Sequence, residues 1–270
     1  MKTHWKLNAL LKFCAIGILG GLSVLSNSYA HDGESRVELE NETVNPSPAG
    51  DIDISFEMID TKTKKVVTDS DADLNVMHEK KLHMFIFDPS LIEFRHVHPT
   101  FDGAHWNVKL NQKDKTDLKV NGNYWIWAQG QLKDGNEEFA TYMQLKVING
   151  LPEHPMPPLL GDLRVGTDGR SQVRLSGEAF KAGVEIMPML TFSRTDGSQP
   201  VIAPFLGAKA HVVGVLSDGD SLIHVHPMDM GPTQLMLHMT FKEAGEYRLW
   251  VQFIDRNELK TIPLSVVVTE

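Results

Sequence analysis

One pattern written twice constrains this chain more than any other feature. Lys81-Leu82-His83-Met84-Phe85-Ile86-Phe87-Asp88 aligns with Lys209-Ala210-His211-Val212-Val213-Gly214-Val215-Leu216. Without a gap, Ile92-Glu93-Phe94-Arg95-His96-Val97-His98-Pro99 then aligns with Asp220-Ser221-Leu222-Ile223-His224-Val225-His226-Pro227, at a constant offset of 128. After a short deletion in the second copy, Gly122-Asn123-Tyr124-Trp125-Ile126-Trp127-Ala128-Gln129 matches Gly245-Glu246-Tyr247-Arg248-Leu249-Trp250-Val251-Gln252. Upstream, Ala49-Gly50 pairs with Ala182-Gly183. Ordered matches of this kind mark an internal duplication, and a duplication of this period implies two copies of one domain.

Each copy reads as β. Ile52, Ile54, Phe56 and Met58 alternate with Asp51, Asp53, Ser55 and Glu57, the two-residue period of a half-buried strand. Further strands are expected at Gln172 to Leu175, Val184 to Phe192, Lys209 to Leu216, Gln234 to Phe241, Glu246 to Ile254 and Thr261 to Val268. Turn chemistry separates them, as at Thr195-Asp196-Gly197-Ser198 and Ser217-Asp218-Gly219-Asp220. No segment sustains a helical period. About seven strands in roughly 100 residues predicts an immunoglobulin-like β-sandwich, here twice in tandem.

The rest of the chain falls around these two units. Lys2, Lys6 and Lys12, the apolar run Phe13 to Leu25, and Ser28-Tyr29-Ala30 have the layout of a cleaved signal peptide over residues 1–30. That run is short for a membrane span. A flexible leader is expected over 31–48, the first sandwich over 49–148, a proline-rich linker over 149–161, and the second sandwich over 162–270. The expected location is periplasmic or secreted, with no membrane span after cleavage. Cys14 is the one cysteine and lies in the signal segment, so disulfides, thiolate metal sites and cysteine nucleophiles are excluded from the remainder. Without that segment, 23 basic residues face 35 acidic ones. Such a surface repels nucleic acid.

The histidines carry the chemistry. His96 and His98 are two apart on a strand and so leave one face. His83 precedes His96 by thirteen residues, as His211 precedes His224. If the connecting hairpin has even length, His83 joins them, and three imidazoles converge on one ion per domain. The candidate ligands are therefore His83, His96 and His98 in one copy, and His211, His224 and His226 in the other. An odd loop would aim His83 to the opposite face. Met228, Met230 and His238 extend the second set, because thioether and imidazole together suit copper better than calcium. His31, at the expected mature N-terminus, adds a candidate amino-terminal chelate. His78, His105 and His154 have no counterpart in the repeat and read as surface residues or weak auxiliary ligands. Copper is the favoured ion, with zinc second.

These motifs resemble a group of bacterial exported proteins in which a Leu-His strand is followed by a His-x-His-Pro strand and a Gly-x-Tyr turn. The positions carrying the resemblance are Leu82-His83, His96-Val97-His98-Pro99 and Gly122-Asn123-Tyr124, with their second-copy equivalents. The group is similar in character to periplasmic copper-resistance β-sandwich proteins. The resemblance implies a sandwich fold, metal handling, and contact with another exported metal-handling protein. The amino-terminal histidine of the copper-resistance proteins is matched by His31, whereas their later acidic-x-His motif has no counterpart here. Two other classes compete. A tandem module for adhesion or assembly would need the histidines only to bond carbonyls or to pack on Trp127 and Trp250. An enzyme is disfavoured, because no H-E-x-x-H, G-x-S-x-G or phosphate-binding glycine loop is present.

Overall fold

The computed structural model describes residues 35–153 and 161–270. Each copy of the repeat forms two packed sheets. In the first domain, Val37–Asn41, Ile52–Asp60, Trp106–Leu110 and Thr100–Phe101 lie side by side, with Lys65–Val66 against Ile52–Asp60. The facing sheet runs Ser47–Pro48, Glu138–Ile148, Gly122–Gln131, Leu82–Phe87 and Phe94–Val97. The second domain repeats this plan. Its corresponding sheets run from Val165–Asp168 to Met228–Asp229, and through Phe180–Lys181, Glu258–Thr269, Gly245–Asp255, His211–Leu216 and Leu222–Val225. Among the described residues the one helical turn is Asp134–Asn136. This is the expected tandem, all-β, immunoglobulin-like sandwich.

Three local expectations need correction. The supposed leader is partly in the fold: Val37–Asn41 pairs antiparallel with Ile52–Asp60, and Ser47–Pro48 pairs in parallel with Val147 and Ile148. It is fixed there because Val37 is fully buried in the core and Arg36, itself buried, bridges to Asp60 at 2.8 Å. The expected strand from Val184 to Phe192 breaks into Glu185–Ile186 and Met189–Arg194 around Pro188, which has no N–H for a ladder. The expected strand from Gln234 to Phe241 breaks likewise, and its second piece, Met239–Thr240, pairs with Glu185–Ile186 in a small separate sheet. The expected signal peptide and most of the expected proline-rich linker lie outside the described residues.

The two sandwiches meet face to face. Leu82–Phe87 is buried at every position, as is His211–Leu216. A strand with one solvated face would alternate. Here Leu82, Met84 and Ile86 enter the core of their own domain, while Phe85 and Phe87 enter a third apolar cluster. That cluster joins Phe85, Phe87, Leu91 and Trp127 of one domain to Val213, Val215, Leu222 and Trp250 of the other. Phe94 stacks on Trp250 with ring centroids 4.6 Å apart. Trp127 Nε1 donates to the Gly219 carbonyl at 3.0 Å, and the Tyr142 hydroxyl to Asp220 at 3.0 Å. The duplicated hairpins are thus the surfaces through which the domains dock.

Gly219 packs tightly in that docking. Its φ is +89°, and a Cβ placed there would lie 2.1 Å from Trp125 Cε2. Gly197 has a similar φ of +76° with nothing within 4 Å. Both alanine substitutions strain the backbone, but only Gly219→Ala also overpacks the interface, adding about 1–3 kcal/mol. Urea titrations should therefore place Gly219→Ala clearly below Gly197→Ala in stability. Equal midpoints would mean that the domains are not held together at this turn.

Candidate metal centre

The hairpin register settles the parity on which the histidine constellation depends. Phe87 is opposite Phe94 and Phe85 opposite His96, so the connection from Asp88 to Glu93 is even. Continuing the same register sets His83 opposite His98. In the second copy Val213 is opposite His224, and the same continuation sets His211 opposite His226. All three side chains of each copy leave one face. It is the face turned away from the domain's own core and toward the other domain.

Each triad is compact. One nitrogen from each of His83, His96 and His98 lies within 4.8 Å of the others, and the same holds for His211, His224 and His226. His83 Nδ1 is 3.1 Å from His96 Nε2. His211 Nδ1 is 3.3 Å from His224 Nε2 and 3.0 Å from His226 Nε2. Two nitrogens bound to one tetrahedral ion, each about 2.0–2.1 Å from it, stand about 3.3–3.4 Å apart.

The neighbours of the rings decide which nitrogens carry hydrogen. His83 Nε2 faces the Met77 carbonyl at 3.0 Å, and His211 Nε2 faces the Phe205 carbonyl at 2.9 Å. A carbonyl only accepts, so each Nε2 is the donor and each Nδ1 keeps its lone pair. His96 Nδ1 faces the Gln252 side-chain oxygen at 2.8 Å, and His224 Nδ1 faces that of Gln129 at 2.7 Å. These rings donate from Nδ1 and keep the lone pair on Nε2. Lone pair is therefore set against lone pair where His83 Nδ1 meets His96 Nε2, and again where His211 Nδ1 meets His224 Nε2. Neither ring of a pair can satisfy the other, and a cation between them satisfies both; in the second triad His226 Nε2, 3.0 Å from His211 Nδ1, also donates to it when that nitrogen carries the proton. His98 Nε2 is buried and has no hydrogen-bond partner among the described residues, and one ring nitrogen of His98 lies within 4.8 Å of the first pair.

The bracing is exchanged between domains. Gln252 belongs to the second domain and holds His96 of the first, while Gln129 of the first holds His224 of the second. Gln252 is itself fixed through its amide nitrogen, 3.1 Å from the Thr261 hydroxyl. The carbonyl contacts stay within each domain and repeat faithfully, because the Met77-to-Lys80 and Phe205-to-Ala208 turns occupy matching positions. Sequence reasoning missed both glutamines, although each ends an aligned block as a polar residue after an apolar run. Of the two readings of His78, surface residue or weak auxiliary ligand, the first needs correction. His78 is half-buried in the Met77-to-Lys80 turn and stacks on His226 of the other domain, with centroids 3.3 Å apart.

Other expected ligands lie elsewhere. Met228 and Met230 are exposed, and Met228 pairs with Met236 in the opposite sheet of its domain. His238 bonds to Glu185 and belongs to neither histidine cluster. The methionine and His238 extension thus has no place in the buried centre, because Pro227 turns the chain toward the other sheet. His105 lies 3.6 Å from Glu57 at the surface. His31 and His154 lie outside the described residues.

The comparisons with known proteins identify no activity. Residues 165–270 match a domain of unknown function, DUF8832. No curated protein matches the chain. Among solved structures, a two-domain fibronectin type III segment of chicken tenascin is 11% identical, with 88% of this chain and 100% of that one covered at a TM-score of 0.25. Titin domains A168–A170 are 11% identical, with 90% and 68% covered at a TM-score of 0.23.

Burial pushes all six imidazoles below their ordinary range: His83 and His211 to about 4, His98 to about 3, and His96, His224 and His226 lower as well. Between about pH 6.5 and pH 4 the unfolded chain binds protons that the folded chain refuses. Stability is therefore lost as pH falls through that window, at up to about 1.4 kcal/mol per pH unit for each histidine. Metal-free protein should show a melting temperature that drops steeply from pH 7 to about pH 4.5. A flat profile there would remove the buried, neutral state assigned to these rings.

Proposed function

We propose that this chain is an exported metal-binding protein, with copper the favoured ion and zinc the second, serving to sequester the ion or deliver it to another exported protein. The observation that carries the reading is the facing of lone pairs between His83 and His96, beside a His98 Nε2 with no partner among the described residues, and its repetition between His211 and His224. Such an arrangement is costly in a folded protein unless a cation occupies it. Imidazole is a good ligand for copper and for zinc, and the second set of contacts, carbonyl and amide oxygens on the remote N–H of the ring, is the usual means of orienting metal-binding histidines. His96, His98 and His226 retain some exposure. Phe94–Val97 and Leu222–Val225 are edge strands of their sheets, which gives an ion a route from the rim. Export rests on the leader features and the lack of cysteine after Cys14.

A second reading has an observation of its own. Two of the six rings bond backbone carbonyls, which is what a purely structural tandem module would use histidines for. The two readings part on ligand linkage. A metal-binding protein gains stability from the ion, by about 2.7 kcal/mol at a hundredfold excess over Kd; a structural module gains none.

Adding Cu(II) or Zn(II) should raise the melting temperature of wild-type protein. The His96→Ala, His98→Ala double variant should bind less copper, through loss of the first triad. Gln252→Leu should weaken that same triad by about 10–100-fold although it sits in the other domain. Competition titrations against a chelating dye measure each effect. A double variant that takes up as much copper as wild type, with equal affinity, would rule out the reading for the first domain.

A further inference from the structure

The two triads are not separate sites. Across the domain interface His83 lies 5.5 Å from His224, and His96 lies 5.7 Å from His211, centroid to centroid. Within the triads, His83 to His96 is 5.4 Å and His211 to His224 is 5.6 Å. The six rings form one continuous cluster. The Phe85 ring is wedged into it, 4.7 Å from His96 and 4.9 Å from His224.

The charge environment of this cluster is unusual for a place that would hold two ions. All six candidate ligands are neutral imidazoles, and behind four of them, His83, His96, His211 and His224, stand neutral carbonyl and amide oxygens. Among the described residues no Asp or Glu joins either histidine group at ligand distance. Two divalent ions would place four positive charges in an apolar interface with no carboxylate among those groups to offset them. Two monovalent ions would place two there. Repulsion scales with the product of the charges, so at equal spacing it is four times smaller for the monovalent pair.

Resting on the metal-binding reading above, we propose that the six-histidine centre selects by charge: it holds two monovalent soft cations, one per triad, but only one divalent cation tightly. The first divalent ion to enter either triad raises the cost of filling the other, which acts as negative coupling between the domains. The chemical class this favours is the d¹⁰ monovalent ion that accepts imidazole nitrogen, with Cu(I) and Ag(I) as its members.

Stepwise titration of the full wild-type chain tests this, with Ag(I) nitrate and Zn(II) acetate as separate probes in chloride-free buffer. Both ions have filled d shells and neither changes oxidation state under these conditions, so charge is the main variable compared within each series. Native mass spectrometry counts the ions, and calorimetry gives the two constants. Two silver ions should bind with closely spaced constants, and one zinc ion should bind well ahead of the second. Beyond the statistical factor for two sites, the zinc spacing should be the fourth power of the silver spacing. A roughly threefold gap for silver becomes roughly eightyfold for zinc. Two zinc ions binding with equal constants, or silver stopping at one ion, would overturn the charge selection while leaving metal binding intact. Retention of neither ion would remove the metal reading together with it.

Discussion

The docking of two like faces is the constraint on which everything else in this molecule depends. Each sandwich could bury its own core and leave the outer face of the His-bearing sheet in water. Instead Phe85, Phe87 and Trp127 meet Val213, Val215 and Trp250, so the central strands are covered on both sides. Apolar burial on that scale supplies a rigid frame, and the histidines stand at its rim. Without the docking, His96 and His224 would lose their glutamine partners, their tautomers would be free, and the facing lone pairs would turn away toward solvent.

The polar chemistry of the centre follows from where it lies. Burial keeps the imidazoles neutral, and neutrality is what leaves each ring a nitrogen lone pair to offer. The remote nitrogens are occupied by Met77 and Phe205 carbonyls or by Gln252 and Gln129 side chains, and the open nitrogens are thereby pointed inward. The four hydrogen bonds that hold this arrangement all come from neutral oxygens. A carboxylate in the same position would have stabilised a divalent ion and raised the ring pKa values together, giving a different kind of site.

Much of this architecture is legible in the residues alone. The repeat, the alternation at Ile52 to Met58, and the shared face of His96 and His98 all follow from spacing, because strand geometry has a strict two-residue period. The parity of the hairpin could be posed as a question from the residues and was answered by Phe85 lying opposite His96. What spacing could not convey is which face the histidines occupy relative to the core, since both faces of Leu82–Phe87 are apolar or buried. The meeting of the two triads, the exchanged glutamines and the role of His78 depend on how one domain sits against the other. Single-strand patterns carry no information about that. The methionines misled for a related reason: Met228 is close to His226 in sequence, but Pro227 intervenes and the chain crosses to the other sheet.

The reciprocal bracing also bears on why the two copies share one polypeptide. A twofold pairing through matching faces is the geometry a dimer of single-domain chains would adopt, and such a dimer would dissolve on dilution. Tethering makes the encounter intramolecular, so the centre stays assembled however scarce the protein is. It also frees the halves to differ. His78 stands in one turn where the other has Leu206, a departure from symmetry that identical subunits could not acquire on one side alone.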